Sequence, residues 1–107
     1  MINLEWKQDG NDYGYFFAET SVASGATSDF VKLEHNVLTT VYVFPDSRCT
    51  VEYTPDDVAT INAGAADWLP WPKGRVRNAT SDTILGVASA VRLVSVNGAA
   101  RMKIRAK

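Results

Sequence analysis

Ala90-Val91-Arg92-Leu93-Val94-Ser95-Val96-Asn97-Gly98-Ala99-Ala100-Arg101-Met102-Lys103-Ile104-Arg105-Ala106 is the stretch whose reading decides the fold. Two alternating runs flank Asn97-Gly98. Both residues of that pair tolerate the positive φ of a type I′ turn, so the dipeptide predicts a two-residue hairpin loop. The loop would set Val91 opposite Ile104, Leu93 opposite Met102 and Ser95 opposite Ala100. Those residues form one apolar face, the expected core side. Arg92 would oppose Lys103 on the outer face, with Arg101 and Arg105 beside them. Like charges directly opposite are destabilising, so an acidic group is expected over this cluster, carried by a partner or by a strand of the same chain with Glu19 or Glu34.

Upstream, Asp67-Trp68-Leu69-Pro70-Trp71-Pro72-Lys73-Gly74 divides the chain by charge. Residues 1–72 hold 3 basic and 11 acidic side chains; residues 73–107 hold 8 basic and 1 acidic. The net charge of −1 hides that split. Either acidic and basic strands lie side by side, or opposite poles dock onto neighbours. Trp68 and Trp71 have three readings: a plug in one end of the fold, a partner contact, or an aromatic platform for a sugar ring.

Strand signals recur along the chain. Gly14 to Val22 is aromatic-rich. Phe30 to Glu34 alternates, and Leu38 to Phe44 is β-branched and aromatic throughout. Cys49 to Thr54 alternates with Cys49, Val51 and Tyr53 inward. Residues 38–54 therefore read as a hairpin. Arg75 to Asn78 reads as a short strand, Thr80-Ser81-Asp82 as a turn, and Thr83 to Val87 as a strand with Gly86 inside it. Asp9 to Asp12 and His35-Asn36 are turn clusters. One helix signal covers about residues 55–63, with Thr54 as N-cap, Pro55 in the first turn and Gly64 as the stop. A chain of 107 residues makes one domain, 1–107, with residues 1–13 an extended lead-in anchored by Leu4 and Trp6. The fold class expected is all-β: an antiparallel β-sandwich or jelly-roll-like barrel with one short helix.

The catalytic inventory is thin. His35 sits in a turn setting, and Cys49 reads as a small core residue. Asp56 and Asp57 are explained by the helix start. Phosphate-loop spacing and metal-ligand clusters are missing, so no enzyme, cofactor or metal is expected. The first residues have neither a basic start nor an apolar block, which predicts synthesis and folding in a reducing cytoplasm. No apolar run reaches the ~18 residues of a membrane span. The near-neutral total argues against a dedicated nucleic-acid protein.

Several segments together carry a likeness. They are Cys49-Thr50-Val51-Glu52-Tyr53-Thr54, the Asp56-Asp57-Val58-Ala59 helix start, Ala63-Gly64-Ala65-Ala66-Asp67-Trp68-Leu69-Pro70-Trp71 with Gly74, and Ala90 to Gly98. The pattern resembles small all-β virion proteins of tailed bacteriophages, the type that decorate or cement capsids or accompany tail parts. The likeness covers residues 38–106. It implies a β-sandwich or jelly roll that binds copies of itself and major capsid or tail proteins in the virion, after synthesis in the host cytoplasm. Expected partner or oligomer contacts are Trp68, Trp71, Arg92, Arg101, Lys103 and Arg105. Neither nucleic acid nor membrane is an expected partner. The alternative is a small carbohydrate-binding module using Trp68 and Trp71.

Overall fold

The structure is a computed structural model that describes residues 1–8, 10, 14–33, 38–84 and 88–107. His35, Asn36, Glu34 and Gly86, and the Asp9, Asn11 and Asp12 turn positions, lie outside the described residues. The elements are β1 (Ile2–Asn3), β2 (Glu5–Lys7), β3 (Tyr15–Val22), β4 (Val31–Lys32), β5 (Thr39–Pro45), β6 (Arg48–Thr54), α1 (Val58–Asn62), β7 (Leu69–Pro70), β8 (Thr80–Ile84), β9 (Ala90–Asn97) and β10 (Ala100–Ala106). They form two five-stranded sheets, a first with order β1-β4-β9-β6-β7 and a second with order β2-β3-β10-β5-β8. Neighbours are antiparallel except β1 with β4. The fold is a β-sandwich of the jelly-roll kind with one short helix.

The two expected hairpins do not form. β9 pairs with β4 and β6 in the first sheet, and β10 pairs with β3 and β5 in the second. β5 and β6 are parted in the same way. The real unit is a two-stranded ribbon, β5 against β10 and then β6 against β9, bent over a corner from one sheet to the other. Pro45 lies opposite Ala100 on one side of the corner and Arg48 opposite Asn97 on the other. A bulge between Arg48 and Cys49 then shifts the register, so Cys49 faces Ser95. Bulges raise local twist and bend a strand, which a corner requires.

Turn chemistry at Asn97-Gly98 still matters. Gly98 has φ 77°, and a Cβ there would sit 3.1 Å from Ser47 Cβ. Asp46 N donates to Ala99 O (2.8 Å) and Gly98 N donates to the Ser24 hydroxyl (3.0 Å). The bend is held by neighbouring loops and by β9, where the Ser95 hydroxyl donates to Gly98 O.

Alternation put the right residues inside. Val91, Leu93 and Ser95 of β9 and Ala100, Met102 and Ile104 of β10 are buried. They meet across the interior instead of side by side in one sheet. Val41, Val43, Cys49, Val51 and Trp71 complete that layer. Residues 2–7 of the lead-in are extended and thread both sheets: β1 joins the first, β2 the second, and Leu4 between them is buried. Trp6 is 60% exposed and meets Phe16 edge-on at 5.1 Å. Thr80 to Asp82 is not a turn but part of β8, because the edge of β5 recruits it (Val43 opposite Thr80, Val41 opposite Asp82). The Arg75 to Asn78 strand reduces to a single bridge, Val76 with Cys49.

The helix starts later than its sequence signal. Asp57, not Thr54, is the N-cap, accepting from Thr60 N at 2.8 Å. Thr54 is buried in β6, and its hydroxyl accepts from Asp56 N at 3.2 Å. Hydrogen bonds from Thr60, side chain first and then backbone, hold the Asp57 carboxyl below its ordinary value. A lowered folded-state pKa gives stability that is present above the unfolded value and is lost as pH falls through the folded one. Asp57→Ala is therefore expected to destabilise at neutral pH, and the difference from the parent to shrink below about pH 4. Urea melts across pH 3 to 7 check this; a difference that stays constant with pH would rule out the charged cap.

Candidate functional site

The outer face of the second sheet is built around β10. Its alternation turns Ala100, Met102, Ile104 and Ala106 inward and Arg101, Lys103 and Arg105 outward. Because β10 is central, each cation has a neighbour on both sides. Arg101 lies between Ser21 and Phe44, Lys103 between Glu19 and Tyr42, and Arg105 between Phe17 and Thr40. The Arg105 guanidinium carbon sits 3.9 Å from the Tyr15 ring centroid. Arg101 lies 4.8 Å and the Lys103 ammonium 5.6 Å from the Phe44 centroid. At the sheet edge, the Lys7 ammonium is 4.8 Å from the Phe17 centroid. Each such contact is worth about 0.5–1 kcal/mol at an exposed site.

The consequence is a row of cations set against aromatic rings and spaced every second residue, about 7 Å apart. Glu5 and Glu19 are the acidic residues among these rows. Exposed Leu38, with Thr40, Tyr42, Arg105, Ala106 and Lys107, bounds a shallow hollow of about 170 Å³ at one end.

The outer face of the first sheet is different. Glu52 and Arg92 are direct partners in the β6–β9 ladder. Their ion pair is 2.7 Å, with Arg92 Nε also donating to Glu52 Oε1 at 2.9 Å. The segment between β6 and β7, which carries α1, brings Trp68 onto the guanidinium, 4.1 Å from ring centroid to Arg92 Cζ. Beside this stack lies a hollow of about 500 Å³, bounded by Ser28, Asp29, Phe30, Asn62, Trp68 and Arg92.

The six expected contact residues are thus divided among three places. Arg101, Lys103 and Arg105 share the second sheet's outer face. Arg92 lies on the opposite side of the sandwich, because the hairpin that would have joined it to Lys103 does not exist. Trp68 is with Arg92. Trp71 is 2% exposed and belongs to the core, so the expectation that it touches a partner is corrected. Its indole N–H donates to Gly74 O at 2.6 Å, and its backbone N to Val51 O at 2.9 Å. The acidic cover expected over Arg92 is Glu52, while Glu19 stands opposite Lys103. Acidic and basic strands are interleaved here.

Sequence reasoning missed the rings beneath the cations: Tyr15, Phe17 and Phe44, and Lys7 with them. Their alternation was visible, but which cation each would meet depends on β3, β10 and β5 being adjacent. Cys49 is buried, and burial pushes its thiol pKa up, which opposes thiolate formation. Among the described residues no group of three His, Cys, Asp or Glu side chains could hold a metal ion. Among the described residues, Trp71, Leu93, Met102 and Ile104 pack in the interior between the sheets.

Comparison with known proteins places the fold. No family model matches the chain, and no curated protein matches it. Two solved structures are similar. One is a chain from a study of the mechanism of oxalate oxidase, with TM-score 0.52 and 16% identity over 86% of this chain. The present chain spans only 41% of that protein's length. The other is a de novo designed double-stranded β-helix solved by NMR, with TM-score 0.50 and 16% identity, covering 85% of this chain and 97% of the design. The likeness is one of fold: a double-stranded β-helix, the jelly roll that the bent ribbon builds. One of these neighbours is an enzyme, so this architecture can carry catalysis.

Proposed function

We propose that this chain is a virion structural protein of the tailed-bacteriophage kind, a capsid decoration or head/tail accessory protein. It acts through protein–protein contacts and self-association, with no reaction of its own. The observation that carries the reading is the outer face of the second sheet, where Arg101, Lys103 and Arg105 lie on Phe44 and Tyr15. Arg and Tyr are the residue types that dominate interface energetics, and here they are held rigidly on a sheet. Stacking limits the rotamer freedom these side chains would lose on binding. The partner this face suits is an acidic protein surface on a capsid or tail protein, or on another copy of the chain. The resemblance over residues 38–106 supports the same class. In this reading the protein is made in the host cytoplasm and ends in the virion.

Cosedimentation with purified capsids and tails of the encoding phage tests the proposal. Binding is expected at low salt and should weaken as ionic strength shortens the screening length from about 10 Å at 0.1 M to about 3 Å at 1 M. The Arg101→Glu/Arg105→Glu variant should bind at least about tenfold more weakly. A chain that stays monomeric in light scattering and binds neither particle would overturn it.

A further inference from the structure

We propose that the hollow beside Trp68, on the outer face of the first sheet, binds a neutral sugar ring. This goes beyond the assembly reading and uses the opposite side of the molecule.

Its size suits a small ligand. The volume of about 500 Å³ falls inside the roughly 300–1,000 Å³ typical of ligand sites. The walls combine two aromatic residues, Trp68 and the buried Phe30, with the polar side chains of Ser28, Asp29, Asn62 and Arg92. A pyranose needs this mixture: an apolar surface for its C–H groups, and partners for hydroxyls that both donate and accept. A carboxylate only accepts, a guanidinium only donates and an amide does both. Asp29, Arg92 and Asn62 supply one of each.

Three of these polar groups, Arg92, Ser28 and Asp29, are also held before any ligand arrives. Arg92 is clamped by Glu52 and stacked on Trp68. The Ser28 hydroxyl accepts from Leu93 N at 2.9 Å and donates to Asp29 O at 2.8 Å, pinning this loop to β9. Asp29 Oδ1 accepts from Phe30 N at 2.9 Å, and Oδ2 meets the Met1 ammonium. Pre-positioned groups lose less freedom on binding.

Charge selects against anionic ligands. Glu52 neutralises Arg92. An anion therefore meets no uncompensated cation there, whereas a polyol can use the remaining guanidinium N–H donors. Trp71 is buried, so a two-ring platform is not available; the site has one indole.

A glycan array, followed by an NMR amide-shift titration with glucose, galactose, mannose and N-acetylglucosamine and their disaccharides, tests this. At least one neutral sugar should give saturable shifts in the millimolar range, confined to residues 28–30, 62–68 and 92. Trp68→Ala and Asn62→Ala should each weaken binding about tenfold or more, while Arg77→Ala leaves it unchanged. Asn62 is exposed, so its variant decides the matter even if Trp68→Ala unfolds. No array signal and no shifts at millimolar sugar, or shifts mapping elsewhere, would overturn the proposal. Capsid binding is read on the other face with other variants, so the two ideas can fail independently.

Discussion

Trp71→Ala is expected to lose about 3–5 kcal/mol of stability, the usual cost of truncating a large buried aromatic residue. The ring is 2% exposed and packs among Val51, Leu93 and the other members of the core. Its removal leaves a void that the two sheets cannot close, since each is fixed by its own ladder. One part of the cost is spared. Gly74 O, which accepts from the indole N–H, also accepts from the Thr50 hydroxyl at 2.9 Å, so it keeps a partner. Small domains have about 5–15 kcal/mol in all, so the variant should sit close to unfolding. Its melting temperature should fall by about 12 °C or more. Trp68→Ala should cost only about 1 kcal/mol, because that ring is half-buried and its partner Arg92 keeps Glu52. Guanidinium melts of both variants provide the comparison. Equal losses would mean that the two rings have been assigned to the wrong roles.

Cysteine pairs should separate the bent ribbon from the simple hairpin in an all-or-none way. In a Cys49→Ala background, Ser21→Cys with Arg101→Cys places two exposed residues directly opposite in the β3–β10 ladder. Directly opposed Cβ atoms are about 4.5–5.5 Å apart, near enough for mild oxidation to close a disulfide with small adjustment. Arg92→Cys with Lys103→Cys tests the other topology. In a hairpin those positions would be opposed; in this fold they lie on opposite outer faces of a sandwich, and sheets pack about 10 Å apart. Thiol titration should find no free thiols in the first oxidised protein and both thiols in the monomer of the second. Intramolecular closure of the Arg92/Lys103 pair would refute the ribbon.

What could be read in the sequence follows from the reach of each signal. Alternation is local, and it correctly turned Leu93, Met102 and Ile104 inward. It says nothing about which strand lies alongside. Asn97-Gly98 satisfies a tight turn, and a corner between sheets needs a tight turn as much as a hairpin does. Its apparent agreement with the apolar pattern was therefore not a test of pairing, because both arrangements bury the same residues. The helix signal lay within a few residues of α1, but Thr54 was claimed by the core and left capping to Asp57. Thr80-Ser81-Asp82 has turn composition, yet an open edge on β5 overrode it. The candidate faces were least legible. Arg101, Lys103 and Arg105 could be seen as one row, but the rings beneath them come from strands distant in sequence. The Trp68–Arg92–Glu52 stack likewise joins three separate segments.

The sheet orders carry a kinetic consequence. Residues 90–106 supply the middle strand of both sheets, β9 in one and β10 in the other. Until that segment has left the ribosome, the strands made earlier have edges but no centre to join. Their pairing then closes loops of some tens of residues instead of zipping up from local turns, which places the chain among slow, high-contact-order folders with times of milliseconds to seconds. Acquisition of the fold therefore waits for this segment, and the exposed β3, β5 and β6 edges are at risk of mispairing with other nascent copies in the meantime.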